Sequence, residues 1–187
     1  MAEIAILGGT FDPVHNAHLQ MARDALVALR PERLLWIPTG APPYRDQPVA
    51  PAAHRLAMLR LAIAGEPRYA IDERELAPGA SGYTYDTLAA LRAELPPAAR
   101  LVLLMGADQY DAIETWHRWR ELSAEFRIAV FARPGRRTPA GGVEVVPMEP
   151  SGISASGIRA RLAAGEDVSG LLPAAVLQYI QRQRLYR

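Results

Sequence analysis

The chain has 187 residues, half of them apolar and about a fifth charged, with a formal net charge of +1; this predicts one ordinary globular domain with a real core, without a basic face for nucleic acid or an acidic tail. It contains no cysteine and no lysine, which excludes disulfides, thiolate nucleophiles, cysteine metal sites, Schiff-base lysines and a P-loop with its GK[ST]. No apolar run approaches the roughly 18 residues of a membrane span, and no basic segment leads into a long apolar stretch near Met1, so the expected setting is the cytoplasm, away from any membrane.

The apolar run Ile4–Leu7 predicts the first strand. Leu19, Ala22, Leu26 and Leu29 follow at helical spacing. Arg33–Ile37 predicts a second strand, and Leu56, Leu59 and Ile63 a second helix. Arg68–Ile71 predicts a third strand, and Leu88, Leu91 and Leu95 a third helix. Arg100–Met105 and Arg127–Phe131 predict two further strands, and Val143–Val146 a weaker one. Strands alternating with helices predict an α/β chain: a Rossmann-like, doubly wound, mostly parallel sheet with helices on both faces. The run "RLVLLM" is continuously apolar, as a strand covered on both faces requires. The loops Thr39–Pro51, Leu76–Gly82 and Arg133–Gly142 are rich in Gly and Pro and follow strand signals. In an open parallel sheet such loops gather at the ligand-binding edge.

The stretch "GGTFDPVHNAHL" stands where the first strand ends. Gly8, Gly9 and Thr10 predict a tight turn that lets a phosphate or sugar approach the backbone. A helix starting near Val14 would add unpaired N–H groups and the positive end of its dipole. His15 and His18, three apart, would then face the end of the strand as two donors, with added charge when protonated, and clamp a phosphate. The plain alternative is a pair of satisfied surface histidines. A metal site is the poorer rival, since no other His or Cys lies nearby.

"GGTFDPVHNAHL" resembles the GGTFDPxHxGHL signature of the HxGH nucleotidyltransferase superfamily, and "SGISASGIRARL" resembles its second signature, ISSTxIR, which opens a late helix. "APPYR", "DERELAPGASGYTYDTL", "GADQYDAIETW", "ARPG" and "LLPAAVLQYIQRQRLYR" resemble segments of the nicotinate mononucleotide adenylyltransferase family, in order, from Ile4 onward. The resemblance implies a single nucleotidyltransferase domain over 1–187, with a C-terminal helical part (about 151–187) completing an ATP site. It implies AMP transfer from ATP to the 5′-phosphate of nicotinate mononucleotide, with release of pyrophosphate. Mg²⁺ is then held mainly by the ATP phosphates and water, with no metal site on the protein. The nucleophile is an already anionic phosphate oxygen, so no general base is required and the absence of Cys and Lys costs nothing.

Residue by residue, the resemblance implies an ATP side made of Gly8, Gly9, Thr10, Phe11, Gly106, Asp108, Arg133, Ser154 and Ser156. His15, His18 and Arg159 are the implied catalytic groups, with Arg159 offering a planar fork to phosphate oxygens. Asp108 is the implied ribose carboxylate, with a helix cap as its bland alternative. Ser154 or Ser156 also suits an N-cap. The implied acceptor side holds Arg45 for the mononucleotide phosphate, Tyr83 and Thr84 at a helix start near the nicotinate carboxylate, and Trp116 beneath the pyridine ring. Trp119 reads as packing. The chain departs from the family pattern at Ala17, Tyr44, Gly82 and Ala155. Two rivals remain: pantetheine-phosphate adenylyltransferase within the superfamily, and a nucleotide-binding module without catalysis. Class I aminoacyl-tRNA synthetases need a lysine-bearing KMSKS that this chain lacks. The sequence leaves oligomeric state open.

Overall fold

The computed structural model describes residues 2–40, 46–132, 143–149 and 151–187. In chain order these form β1 (Glu3–Gly9), α1 (Asn16–Ala28), β2 (Arg33–Pro38), α2 (Ala52–Ile63), β3 (Tyr69–Ile71), α3 (Thr84–Glu94), β4 (Arg100–Gly106), α4 (Ala107–Asp111), α5 (Trp119–Glu125), β5 (Arg127–Ala132), β6 (Glu144–Pro147), α6 (Ala155–Ala163) and α7 (Ala174–Gln183). Two 3-10 turns, Arg74–Leu76 and Ile113–Thr115, lie between β3 and α3 and between α4 and α5.

The strands form one parallel sheet in the order β3-β2-β1-β4-β5-β6. The chain runs outward from β1 to one edge and returns to build the other, so the order reverses between β1 and β4. Crevices beyond the strand ends at such a switch point are where open α/β sheets bind ligands. Every expected strand is present. β1, β2, β4 and β6 end one or two residues beyond the apolar runs, because glycine and proline there still find parallel partners: Gly8 pairs Ile37, Gly9 pairs Pro38, Gly106 pairs Phe131 and Pro147 pairs Ala132, the residue β5 gains; β3 and β6 begin one residue later than expected.

Strand alternation sorts the core into two layers. Ala5, Leu7, Leu34, Trp36, Val102 and Leu104 pack with α1, α2, α6 and α7 through Ala22, Leu26, Met58, Leu59, Ile158, Val176 and Ile180. Ile4, Ile6, Ile37, Leu101, Leu103 and Met105 pack with α3 and α5 through Leu88, Leu91 and Leu122. Burying a Leu or Ile side chain stabilises by roughly 1.5–3 kcal/mol, so both layers fix where the strand ends stand. Among the described residues no helix is long and apolar enough to cross a membrane.

Candidate active site

At the end of β1, Gly8 and Gly9 continue the strand, and neither adopts a left-handed φ. The reversal is made by Phe11, at φ 50. The expected glycine turn is therefore corrected. Glycine is required at position 9 for space, because a Cβ there would stand 2.9 Å from the Phe11 ring. A Cβ on Gly8 would meet nothing within 4 Å, which leaves room beside the backbone. Phe11 is buried, edge-on to His18 with centroids 5.0 Å apart and tilted against Trp36 at 5.4 Å.

Helix α1 begins at Asn16 rather than near Val14, with His15 as its extended N-cap residue and His18 in its first turn. Their rings stack at 3.7 Å, 21° from parallel. The His15 backbone N–H donates to His18 Nδ1 at 3.3 Å. That bond makes Nε2 the protonated nitrogen of a neutral His18. Burial pushes His15 down to about 4. Burial first, and the neighbouring His15 second, hold His18 well below the usual imidazole range. Burial disfavours the protonated form of both rings, so at neutral pH each is a neutral donor and the charge that protonation would add is not supplied. His15 Nδ1 is buried with no hydrogen-bond partner among the described residues.

A pH dependence of stability follows. The unfolded chain protonates His15 near the ordinary value of 6.5, whereas the folded chain resists until about 4. Between these limits the unfolded state binds more protons, so stability falls as pH falls. At ~1.4 kcal/mol for each tenfold change in proton affinity, the upper scale of this loss is about 3 kcal/mol. Melting temperature should drop from pH 6.5 toward 4 and drop less in His15→Gln; identical slopes would contradict the shift.

A cleft of about 590 Å³ opens beyond the C-terminal ends of β1 and β4. Gly8, Gly9, Thr10, Phe11, His15, His18, Gly106, Asp108, Ser154, Ser156 and Arg159 all line it. Arg133 lies outside the described residues. Ser154 caps α6 by accepting the Gly157 N–H at 3.2 Å, and its hydroxyl stands 3.4 Å from that of Ser156. Arg159, one turn into α6, donates Nη1–H to the Asp12 carbonyl at 2.8 Å. Asp108 occupies the second position of α4, whose N-cap is Gly106, so the helix-cap alternative for Asp108 is not realised. The departures Ala17 and Ala155 also line the cleft.

A second, smaller cavity of about 50 Å³ shares Gly8, Gly9 and Gln109 with the cleft. Thr84 and Trp116 line it together with Gly82, Glu75, Thr87 and Leu88. Trp116 closes the 3-10 turn Ile113–Thr115 and packs against the α3 layer. Tyr83 occupies the N-cap position of α3, makes no side-chain cap bond and does not line the cavity: its N–H donates to Ser81 Oγ at 3.2 Å, and its ring stacks on His117 at 4.2 Å. Gly82 sits at φ 70, which accounts for glycine at that position. Trp119 opens α5 and does not line the cavity. Arg45 and Tyr44 lie outside the described residues.

Four residues of the site escaped the sequence reading. Glu75 lines the small cavity and accepts from Thr87 Oγ1 at 2.7 Å. His117 stacks on Tyr83. Arg55 is fully buried and donates to the carbonyls of Thr10, Thr39 and Ala50 at 2.6, 2.8 and 3.2 Å. Tyr186 donates to Asp12 Oδ1 at 2.7 Å. Only Arg55 left a signal, as a lone charge in register with Met58 and Leu59 on the buried side of α2.

The cleft offers histidines, an arginine, hydroxyls and helix-start amides, a donor set suited to a polyanion. Among the described residues no group of three His, Cys, Asp or Glu side chains is placed to hold a metal ion. Residues 6–161 match the cytidylyltransferase-like family. The chain is 44% identical to a Laribacter hongkongensis protein named "Probable nicotinate-nucleotide adenylyltransferase", covering 98% of this chain and 94% of that one. It is 43% identical to a protein of the same name from Chromobacterium violaceum, over 100% and 99%. It superposes on Plasmodium falciparum nicotinic acid mononucleotide adenylyltransferase complexed with NaAD with a TM-score of 0.85, at 20% identity over 100% of this chain and 98% of that one. With the same enzyme complexed with APC the TM-score is 0.82, at 20% identity over the same shares of the two chains.

Proposed function

The chain belongs to the nicotinate-nucleotide adenylyltransferases of the cytidylyltransferase-like family, and from that premise we infer that it transfers AMP from ATP to the 5′-phosphate of nicotinate mononucleotide, giving nicotinate adenine dinucleotide and pyrophosphate. The observation that carries this reading is the meeting of two unlike cavities at Gly8 and Gly9. The larger is lined by phosphate donors. The smaller has a flat indole and a helix start, and suits a planar ring with a polar substituent. A reaction joining two nucleotides needs both pockets and a bare backbone between them.

The chemistry asks little of the side chains beyond placement. A phosphate oxygen of the mononucleotide attacks the α-phosphorus of ATP, the bond to the bridging oxygen breaks, and pyrophosphate leaves with its electron pair. No proton has to be removed from the nucleophile. Rate then comes from aligning two anions and stabilising charge on the α-phosphate and the leaving group. We assign His15, His18 and Arg159 to that charge, Ser154 and Ser156 to the β- and γ-phosphates, and Asp108 to the ATP ribose. Residues 151–187 complete the ATP side through α6, within a single domain. ATP would enter as its Mg²⁺ complex, in which the ion would be held by the nucleotide rather than by protein side chains and would supply positive charge near the leaving group. We assign the reaction to the cytoplasm. Thr84 and Trp116 take the pyridine, Tyr83 supports the helix start, and Arg45 and Arg133 are assigned to the mononucleotide phosphate and the nucleotide site.

One variant tests the division of labour. Trp116→Ala should raise KM for nicotinate mononucleotide about tenfold or more, since stacking on an aromatic is worth roughly 1–3 kcal/mol per base, and should leave KM for ATP near its starting value. Loss of ATP affinity with unchanged acceptor affinity would overturn the assignment of the small cavity. A non-catalytic module would form no dinucleotide at all.

A further inference from the structure

We propose that Tyr186 is a positioning residue for adenylyl transfer: through the Asp12 carboxylate it sets where the Arg159 guanidinium stands in the triphosphate cleft. The proposal rests on the assignment of Arg159 to the triphosphate.

Asp12 is the joint of the cleft. It is almost fully buried, immediately after the left-handed Phe11. Its Oδ2 accepts the Val49 N–H at 2.7 Å, and its Oδ1 accepts the Ala50 N–H at 3.1 Å and the Tyr186 hydroxyl at 2.7 Å. Its carbonyl holds Arg159 Nη1 at 2.8 Å, while its Oδ2 stands 3.8 Å from the same nitrogen. One residue therefore ties together the β1–α1 turn, the segment ahead of α2, helix α6 and the chain beyond α7. Arg55 braces the same turn through the carbonyl of Thr10.

The carboxylate and Arg159 are one short movement from a closed ion pair. Such a pair would take up the guanidinium that the triphosphate needs. Three donors keep the carboxylate engaged elsewhere, so Arg159 spends one N–H on a neutral carbonyl and retains the rest of its five-donor fork for phosphate oxygens. Tyr186 is the one side-chain donor of the three. Its ring belongs to the core, where phenylalanine would pack as well. Its backbone lies at φ 63, shortly after Arg184 at φ 55. A bulky aromatic rarely adopts that conformation unless its surroundings demand it. The chain accepts the strain, and the hydroxyl arrives on Asp12, 174 residues away in sequence.

The test is a double-mutant cycle on the intact chain, with steady-state kinetics in ATP and in nicotinate mononucleotide and a melting curve for each variant. Arg159→Ala should lower kcat/KM for ATP by on the order of 10²-fold. Tyr186→Phe should lower it about tenfold, the scale of one hydrogen bond to a charged group, with KM for nicotinate mononucleotide unchanged. In the Arg159→Ala background Tyr186→Phe should add nothing. If Tyr186→Phe is harmless, or its penalty persists in full without Arg159, Tyr186 is structural and the proposal is overturned while the ATP assignment stands. If Arg159→Ala itself is harmless, both fall. Asp12→Asn gives a second arm: it removes the carboxylate that could capture Arg159 and keeps the carbonyl that holds it, so Tyr186→Phe should add nothing in the Asp12→Asn background either, and a penalty that persists there overturns the proposal.

Discussion

His18→Ala should lower kcat by about 10²–10³-fold, the usual loss for one preorganised donor to developing charge, and should change KM for ATP only severalfold. The ring is fixed on three sides. It stacks on His15, meets the edge of Phe11, and accepts the His15 N–H at Nδ1. That last bond leaves Nε2–H as the free donor. Because burial keeps the ring neutral in the free enzyme, its contribution is a positioned N–H rather than a standing positive charge. A neutral donor gains most where negative charge grows, on the α-phosphate and the leaving pyrophosphate, so its loss falls on kcat. Near-normal kcat with weakened ATP binding would make His18 a ground-state contact only.

Nicotinate mononucleotide should exceed nicotinamide mononucleotide in kcat/KM by at least about 10²-fold. The two acceptors differ in one group: a carboxylate that only accepts hydrogen bonds, or an amide that also presents N–H. Thr84 lines the small cavity at the start of α3, an 11-residue helix whose positive end favours the carboxylate. An amide N–H turned toward backbone N–H groups sets donor against donor, at about 1–3 kcal/mol for each unmet hydrogen bond. The cavity also contains an opposing feature. Glu75 stands in its lining, and its carboxylate is held by Thr87 Oγ1. The Tyr83 N–H is already bonded to Ser81. The remaining first-turn amides of α3 must therefore carry the selection. Equal efficiencies for the two acceptors would remove the carboxylate site from Thr84.

The strands were legible because buried parallel strands are continuous apolar runs, and the long helices because Leu and Ala recur at helical spacing. α4 and α5, of five and seven residues, are too short to show a period. The cleft was legible from short motifs, each compact in sequence, and a serine cap at Ser154 or Ser156 was foreseen on local grounds alone, with Ser154 the one realised. What stayed hidden depends on distance or burial. Neutral histidines follow from desolvation, which spacing does not reveal. The turn at Phe11 looked like a glycine turn because glycine more often adopts a positive φ, yet Gly9 is there to admit the Phe11 ring. The Tyr186–Asp12 contact joins residues 174 apart and left no local pattern.

The measurement closest to the central claim is pyrophosphate release from MgATP with each acceptor supplied separately: nicotinate mononucleotide, nicotinamide mononucleotide, 4′-phosphopantetheine, or none. Fast release with nicotinate mononucleotide, matched one for one by nicotinate adenine dinucleotide, is the expected result, with background release when the acceptor is phosphopantetheine or absent. Release driven by phosphopantetheine, or no release with any acceptor, would contradict it.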